Sequence, residues 1–405
     1  MTRPAGGFGP GALVTAAFIG PGTVTLCTLA GVNNGLSLAW VIPLSVLLCY
    51  TLQEMSARLG VISGQGLGET LRREVNHPLT RNLSILLVLC AIVVGNAAYE
   101  AGNISGGALG LQELTGNHSL VIGDVRINLV NLSIAALAFL LLYTGDYRVL
   151  EKTLIGLVAA MSIAFVLVAV ATRPAPGDLL RGLVPRMSAG QTLTVIGLVG
   201  TTVVPYNLFL HARIVQEKWQ GSGALPAMRR DTAIAIALGG IISLAIIVCG
   251  ASLQGTQIRS AAELATALQP VFGDWARYIL AFGLFAAGIT SAITAPLAAC
   301  YVAGGCLGWQ KDLRSLRYRL VWMGVLLAGT AFSVIGGSPV EIIRLAQVTN
   351  GILLPLIAGF VLWALNRKGL LGGHHNTPWQ NLAGGLALLL VTLLAGRSLW
   401  LVMQG

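Results

Sequence analysis

The segment Ile19-Gly20-Pro21-Gly22-Thr23 interrupts the first long apolar stretch of the chain, and Thr202-Val203-Val204-Pro205-Tyr206-Asn207 interrupts the sixth. Glycine and proline break helical hydrogen bonding, and inside a bilayer the freed backbone groups are tolerated only where they line a cavity in the protein. Breaks at matching positions of two halves are typical of a secondary transporter whose substrate binds near the membrane midplane. We therefore predict that these two breaks form a substrate site.

The composition of the chain is that of a membrane protein. Hydrophobic residues make up 55% of the 405 residues and charged residues 10%, and the mean hydropathy is +0.79, whereas ordinary soluble domains carry roughly 25% charged residues. The formal net charge of +10 does not indicate nucleic acid binding, because Lys and Arg fall in loops between apolar stretches and form no basic stripe. The expected partner is the lipid bilayer, and no nucleic acid is expected.

A window of about 20 residues, the length that spans roughly 30 Å of hydrocarbon, predicts eleven membrane-spanning helices. These predicted spans lie at 11–33, 38–60, 83–114, 127–144, 149–172, 191–219, 232–253, 275–307, 319–337, 341–366 and 382–403. We predict a single transmembrane transporter domain over residues 1–403, with repeats at 11–178 and 191–366 and an extra helix at 382–403. Because each repeat holds an odd number of spans, the second repeat is inverted relative to the first.

The distribution of basic residues predicts the orientation of the chain. If the N-terminus is cytoplasmic, 17 of the 25 Lys and Arg residues fall on the cytoplasmic side, as the positive-inside rule requires. We therefore expect the N-terminus inside and the C-terminus outside. The expected location is a bacterial inner (plasma) membrane.

Four motifs together resemble the Nramp family of divalent-metal transporters. They are Ile19-Gly20-Pro21-Gly22-Thr23, the segment 52–60 (LQEMSARLG), the segment 204–211 (VPYNLFLH) and the segment 286–294 (AAGITSAIT). The resemblance implies an all-α membrane protein with the LeuT-type fold of the APC superfamily, a five-plus-five inverted repeat in which helices 1 and 6 are broken. It also implies alternating access, in which a bundle containing spans 1 and 6 rocks against a scaffold of spans 3, 4, 8 and 9.

The chain departs from the Nramp pattern at the residues that hold the metal ion in that family. Nramp proteins carry Asp-Pro-Gly-Asn in the first break and Met-Pro-His in the second, and the Asp, Asn and Met side chains bind the ion. Those three positions fall on Gly20, Thr23 and Val204 here, and the family's histidine falls on Tyr206. A dehydrated manganese or iron ion prefers anionic or soft ligands. The sequence therefore predicts a site without carboxylates and no bound metal of the usual kind.

Two kinds of substrate fit such a site, and the sequence analysis favours a small anion such as bicarbonate over manganese or iron. Helix N-termini at the breaks and hydroxyl donors suit an anion. The alternative is a divalent cation, either hydrated magnesium or manganese, held by freed carbonyls and hydroxyls. A transporter-like sensor is a second alternative. The predicted substrate-binding residues are Gly20, Gly22, Thr23, Thr25, Thr201, Thr202, Val204, Tyr206, Asn207 and Gln347. Span 8, from Gly288 to Thr294, is expected to supply further hydroxyls.

Three ionisable residues are candidates for coupling or gating. Glu100 falls near the acidic positions that the Nramp resemblance associates with proton passage, and His211 matches the histidine of the sixth span in that family. Arg213 follows on the same predicted helix and adds weight to the anion interpretation. The coupling ion is expected to be a proton or sodium. Glu54 and Arg58, four residues apart on one helix face, are predicted to form a structural ion pair.

No enzymatic activity or cofactor is predicted. The five histidines show no spacing typical of a catalytic or zinc-binding motif, and the six cysteines lack CxxC spacing. The glycine pairs at 106–107, 239–240 and 304–305 are interpreted as close helix contacts.

Overall fold

The computed structural model describes residues 19–122, 125–145, 148–258, 260–310, 312–335 and 338–404, and within them the chain is mostly helical. The first half contains α1 (Pro21–Asn34), α2 (Val41–Ser63), α3 (Leu67–Glu74), α4 (Pro78–Thr115), α5 (Leu129–Thr144), α6 (Arg148–Thr172) and α7 (Pro176–Gly182). The second half contains α8 (Thr192–Thr202), α9 (Pro205–Lys218), α10 (Leu225–Ala251), α11 (Ala261–Ala265), α12 (Gln269–Phe272), α13 (Trp275–Leu307), α14 (Leu316–Ile335), α15 (Pro339–Leu365), α16 (Lys368–Leu371) and α17 (Pro378–Gln404). Short 3-10 helices lie at Ala189–Gln191, Ser222–Ala224, Thr266–Leu268 and Gly372–His374.

Proline and glycine fix many of the helix boundaries. Pro21, Pro78 and Pro205 each occupy the first turn of a helix, where the missing N–H is not needed and the fixed φ suits the helix. Gly64 and Gly308 end α2 and α13 with φ of 63° and 69°, in the left-handed region that glycine adopts without a steric penalty. These helix boundaries are therefore set by prolines and glycines that are visible in the sequence.

Seven helices of the described residues are long and apolar enough to cross a membrane. They lie at Pro78–Thr115, Lys152–Thr172, Thr192–Lys218, Ser222–Ala251, Trp275–Leu307, Pro339–Leu365 and Pro378–Leu401, and Leu129–Thr144 is a shorter apolar helix. The predicted spans 38–60 and 319–337 correspond to α2 and α14. Of the first predicted span, 11–18 lies outside the described residues. Large apolar side chains such as Leu47, Ile163 and Leu393 point outward, as the lipid-facing surface of a membrane protein requires.

Both predicted breaks are present at the ends of described helices. Before α1, Gly20 is extended, with φ −101° and ψ −176°. Between α8 and α9, Val203 and Val204 leave the helical conformation, with ψ of 78° and 122°. The sixth predicted span is thus two short helices, α8 and α9, that meet at an extended pair of residues.

Small residues let the central helices approach each other closely. Gly107 of α4 and Gly288 of α13 pack backbone against backbone, and Gly106 faces Pro21 of α1. Contacts of this kind are typical of helix association in membranes, where small residues replace a hydrophobic driving force. Gly240 packs on Val46 and Gly304 on Tyr318, which confirms the prediction that the glycine pairs are close helix contacts.

Three connections contain more structure than the sequence analysis predicts. The polar segment before α4 includes the helix α3, and the segment after α6 includes the helix α7. Between α4 and α5 the strands β1 (Ser119–Ile122) and β2 (Val125–Asn128) pair antiparallel, with Ser119 opposite Asn128. These elements are short, with at most eight residues, so they lack the long apolar run on which the predicted spans depend.

Candidate functional site

The two breaks meet in the interior of the protein. The hydroxyl oxygens of Thr23 in α1 and Thr201 in α8 are 2.9 Å apart, and both side chains are fully buried. Their separation in sequence is 178 residues, so the contact joins the two halves of the chain. The predicted convergence of the two interrupted segments is therefore a feature of the fold.

A third helix, α15, closes over this contact. The side-chain amide of Gln347 lies where a Cβ atom at Gly22 would be, and the backbone carbonyl of Gln347 lies against Gly200 of α8. Glycine at positions 22 and 200 thus makes room for α15 to touch both breaks. The structure places Gln347 at the junction of the two broken segments, where the sequence analysis expects it.

Aromatic side chains form another wall of the junction. Tyr206, in the first turn of α9, packs edge to face on Tyr99 of α4, with ring centroids 5.5 Å apart. Both rings are buried. The Tyr99 hydroxyl lies 3.8 Å from the position that a Cβ atom on Gly20 would occupy. Hence Tyr206 and Tyr99 connect the second break to the first.

Several buried polar atoms around the junction have no hydrogen-bond partner within the described part of the chain. Folded proteins leave few such groups unpaired, so a cluster of them is a candidate site for a polar ligand or for bound water. The atoms are Thr25 Oγ1, Asn207 Oδ1 and Nδ2, Ser291 Oγ and Gln347 Oε1. All are neutral groups, and most are oxygens.

Two predicted site residues, Thr202 and Val204, have a structural role in the second break. The hydroxyl of Thr202 donates to the carbonyl of Leu198 in its own helix at 3.0 Å, while its carbonyl accepts from the Cys49 thiol at 3.4 Å. Val204 is fully buried and extended, and its side chain is apolar. Thr202 and Val204 shape the break, and their side chains offer no unpaired oxygen to a ligand.

The ends of the helices that meet at the junction carry partial charges of both signs. The N-termini of α1 and α9 carry unpaired N–H groups, and neither has a capping side chain. The C-terminus of α8 carries the carbonyls of its last turn, which hold a partial negative charge. Among the described residues, no group of three or more His, Cys, Asp or Glu side chains is placed to hold a metal. Ligands for an ion here are carbonyl, hydroxyl and amide oxygens.

Two of the coupling candidates, Glu100 and His211, belong to the helices that carry Tyr99 and Tyr206, α4 and α9. Glu100 packs against Gly329 of α14, and its Oε2 accepts from the Asn103 amide at 3.3 Å. His211 Nδ1 is 2.8 Å from Gln53 Oε1 of α2. Glu100 and His211 are fully buried.

Arg213 points toward the end of α9. It lies eight residues beyond Pro205, which is about 12 Å along a helix, and it donates to the side chain of Gln216 at 3.1 Å. It lines a cavity of about 20 Å³ together with Glu69 and Tyr301. The structure therefore does not bring Arg213 to the two breaks.

The predicted ion pair between Glu54 and Arg58 is confirmed, and it is part of a larger buried network. Arg58 Nε is 3.1 Å from Glu54 Oε1, and Arg229 of α10 reaches the same oxygen at 2.9 Å. Arg58 also donates to the His374 carbonyl at 2.7 Å and to Asn376 Oδ1 at 2.6 Å. The network joins α2, α10 and the segment before α17 at the end of the molecule that we predict to be cytoplasmic.

A larger cavity opens at the opposite end. It has a volume of about 270 Å³. Its lining includes Leu26 of α1, one turn beyond Thr23, and Thr194 of α8, and it includes the charged side chains of Glu341 and Arg344 of α15. The helices that carry the central contact thus also line this cavity.

Helices that are interrupted in both halves of a membrane protein, and that meet at buried polar groups, define a secondary transporter. The family model described as Natural resistance-associated macrophage protein-like matches residues 11–401, so the chain belongs to the Nramp family. It is a transporter and not an enzyme.

Known proteins agree with this assignment. The divalent metal cation transporter MntH of a Nostoc species is 31% identical, and the match covers 98% of this chain and 90% of that protein. The fold matches the crystal structure of a manganese transporter mutant from Eremococcus coleocola with a TM-score of 0.77 at 21% identity, covering 97% of this chain and 87% of that one. MhsT in complex with L-phenylalanine matches with a TM-score of 0.63 at 13% identity, over 98% of this chain and 100% of that one. The predicted LeuT-type fold is confirmed.

The prediction that a small anion such as bicarbonate is the favoured substrate is wrong. The Nostoc relative is named for divalent metal cations and the Eremococcus structure for manganese. The prediction relied on the helix N-termini at the breaks and on Arg213. The C-terminal carbonyls of α8 face the same break, and Arg213 is turned toward Gln216. Neither observation therefore selects an anion.

Ser291 of α13 borders the first break, and the sequence locates this contact only to the stretch 288–294. Its hydroxyl lies 3.2 Å from the position of a Cβ atom on Gly20. The signal in the sequence is the run of hydroxyl residues Thr290, Ser291 and Thr294 in an otherwise apolar helix. A run of this kind identifies the helix that supplies hydroxyls to the site, but it does not identify which hydroxyl faces the breaks.

Proposed function

We propose that the chain transports a divalent metal cation across the membrane by alternating access. The observation that carries this proposal is the 2.9 Å contact between Thr23 and Thr201, which brings both breaks of an Nramp-family transporter together among neutral oxygen ligands. Divalent cation transport is also what the named relatives have in common.

The ligands at the junction favour an ion that keeps part of its water shell. Gly20 and Thr23 supply no carboxylate, and Val204 supplies no thioether sulfur. Mg²⁺ dehydrates reluctantly and is usually bound through its waters, whereas transition metals gain more from direct anionic or soft ligands. We therefore place hydrated magnesium ahead of manganese as the substrate.

The residues proposed to contact the hydrated ion surround the Thr23–Thr201 contact. Their hydroxyl and amide oxygens accept hydrogen bonds from bound water or bind the cation directly, as carbonyl and hydroxyl oxygens do in other ion sites. They are Thr23, Thr25, Thr201, Tyr206, Asn207 and Gln347. Gly20 and Gly22 contribute backbone and space.

The proposed cycle moves α1, α8 and α9 against α4, α5, α13 and α14, with the repeats at 11–178 and 191–366 inverted relative to each other. The N-terminus is proposed to be cytoplasmic and the C-terminus external. Glu100 and His211 are the proposed proton-coupling residues, and sodium is the other proposed coupling ion. Support for Glu100 comes from its burial and from its Oε1, which has no hydrogen-bond partner among the described residues.

Uptake into proteoliposomes tests the proposal. Purified protein is reconstituted with an entrapped fluorescent indicator, and MgCl₂ or MnCl₂ is added outside. We expect saturable uptake, with Mg²⁺ competing for Mn²⁺ uptake. Protein-free vesicles are the baseline, and a signal that never exceeds this baseline with either ion contradicts the proposal. If Mn²⁺ alone is transported, the hydrated-magnesium part fails and the divalent cation part stands.

A pair of threonine variants ties uptake to the junction. Thr201→Val removes one hydroxyl of the central contact while keeping the shape of the side chain, so we expect uptake to fall. Thr172→Val is the matched control, because the Thr172 hydroxyl bonds the Val168 carbonyl of its own helix at 2.8 Å, and we expect unchanged uptake. Equal uptake by both variants would separate transport from the two breaks.

A further inference from the structure

Position 20 is limited by space and not by backbone conformation. Gly20 has φ −101° and ψ −176°, an extended conformation that any residue adopts. A Cβ atom at this position would lie 3.2 Å from Ser291 Oγ and 3.8 Å from Tyr99 Oη. Two hydroxyl groups from α13 and α4 therefore border the volume into which a side chain of residue 20 would project.

The hydroxyl of Ser291 differs from its neighbours in the same helix. Serine and threonine inside helices usually bond a carbonyl one turn earlier. Thr290 does so with Ala286 at 2.9 Å, and Thr294 does so with Thr290 at 2.7 Å. Ser291 is 1% exposed, and its Oγ has no hydrogen-bond partner within the described residues. The unpaired hydroxyl is thus buried and directed at the first break.

We infer that Ser291 is a substrate-binding residue, and that its hydroxyl supplies the oxygen that the missing side chain of Gly20 does not. The inference rests on the proposed function and adds a ligand from α13. The Ser291 hydroxyl binds the divalent cation directly or through one of its waters, beside Gly20 of the first break. The chemical class of the ligand is a divalent cation with water still attached.

This assignment places the ion between the two moving parts of the transporter. Thr23 and Thr201 belong to the proposed bundle, whereas Ser291 and Tyr99 belong to the proposed scaffold. An ion that binds both parts stabilises the arrangement in which they are close, because a ligand favours the state that offers it more contacts. Ser291 therefore influences both affinity and the closing of the site.

The close approach also makes residues 20 and 291 interdependent. A Cβ–Oγ distance of 3.2 Å is tight, so an aspartate at position 20 requires that residue 291 give way. Gly20→Asp alone is expected to be poorly tolerated. Gly20→Asp combined with Ser291→Gly provides the space and supplies a carboxylate, the ligand that manganese prefers.

The first experiment measures Mg²⁺ uptake by full-length Ser291→Ala in proteoliposomes. Losing one oxygen ligand to a charged species costs about 1.5 kcal/mol, so we expect a KM about tenfold higher. Ser162→Ala is the control, because the Ser162 hydroxyl is buried and bonds the Val158 carbonyl at 2.8 Å. We expect its KM to be unchanged. An unchanged KM for Ser291→Ala, with active wild type, overturns the inference while the proposed function stands.

Thermal unfolding in detergent separates binding from folding. Removing a buried unpaired hydroxyl is expected to leave the melting temperature of Ser291→Ala without ion equal to or higher than that of the wild type. The stabilisation by added MgCl₂ is expected to shrink, since it follows the affinity for the folded state. Equal stabilisation of Ser291→Ala and wild type by MgCl₂ contradicts the inference. If MgCl₂ and MnCl₂ neither stabilise nor enter vesicles with the wild type, the proposed function itself fails.

A gain of function completes the test. We expect the double variant Gly20→Asp with Ser291→Gly to take up Mn²⁺ with a KM at least tenfold lower than Gly20→Asp alone. Equal Mn²⁺ uptake by these two variants, both folded by the melting assay, contradicts the expected interdependence of residues 20 and 291.

Discussion

Replacing Arg58 with methionine is expected to destabilise the protein strongly. The Arg58 side chain is 1% exposed, and it contacts Glu54, the His374 carbonyl and Asn376 at 3.1, 2.7 and 2.6 Å. Without Arg58, Glu54 keeps Arg229 as its basic partner among the described residues. The His374 carbonyl oxygen and Asn376 Oδ1 each lose a hydrogen-bond donor. Breaking a buried ion pair by deleting one partner costs about 3–5 kcal/mol. We expect the Arg58→Met variant to melt well below the wild type in detergent.

A second ion pair in the same protein provides the control. Arg344 and Glu341 of α15 are 3.0 Å apart, nearly the distance in the Arg58 pair, but their side chains are 56% and 61% exposed. Exposed pairs contribute about 0–1 kcal/mol. Arg344→Met is therefore expected to melt within a degree or two of the wild type, since this pair is exposed and is not part of a buried network.

The double variant Glu54→Gln with Arg58→Met sharpens the test. The Glu54 charge is the main cost of losing Arg58, so removing both charges should cost less than the sum of the two single changes. If Arg58→Met melts like Arg344→Met, or if the two single effects simply add, the reasoning from burial is wrong.

Three further predictions concern transport and topology. Gly22→Ala is expected to abolish most uptake, because the new Cβ would overlap the amide of Gln347. Gly156→Ala is the control and should transport normally, because there is open space around Gly156. Equal uptake by the two variants would contradict the placement of Gln347. Glu100→Gln is expected to remove the stimulation of uptake by an imposed pH gradient while uptake at equal pH persists, and undiminished stimulation would exclude Glu100 from coupling. A tag fused after residue 405 should react with a membrane-impermeant reagent in intact cells, and labelling only after permeabilisation would reverse the predicted orientation.

The elements that the sequence predicts well are those with a local cause. Proline disfavours a helix interior, and Pro21 and Pro205 mark the two breaks in the sequence. Pro296 and Pro355 nevertheless lie inside α13 and α15, so the prolines mark the breaks only together with the glycines and the matching positions in the two halves. The pairing of Glu54 with Arg58 follows from a spacing of four residues on one helix. These features depend on neighbours in the sequence, and the structure has them where they are expected.

Features that depend on distant contacts are not visible in the same way. The carbonyl of His374 and the side chain of Asn376 meet Arg58 across more than 300 residues, and no local pattern marks them. Ser291 looks like Thr290 and Thr294 in the sequence, and the three differ only in whether their hydroxyls bond their own helix. Which hydroxyl faces the site is decided by how α13 packs.

The sign of the substrate charge was the hardest property to infer from the sequence. A break creates a helix start and a helix end together, so the same residues offer N–H groups to an anion and carbonyls to a cation. With the carboxylate of the family absent at Gly20, no formal charge in either break decides between them. Arg213 adds some weight to an anion in the sequence, but it lies eight residues beyond Pro205 and its side chain donates to Gln216.

The cavity beside Leu26 and the cavity beside Arg213 differ greatly in size, and this bears on the kinetics of transport. About 270 Å³ is available beside Leu26, but about 20 Å³ beside Arg213, which is room for about one water molecule. A magnesium ion with its shell of waters fits the first and not the second. If the proposed substrate passes Arg213, each ion carried requires a rearrangement there, so turnover should be slow, strongly dependent on temperature and without the conductance steps of an open pore.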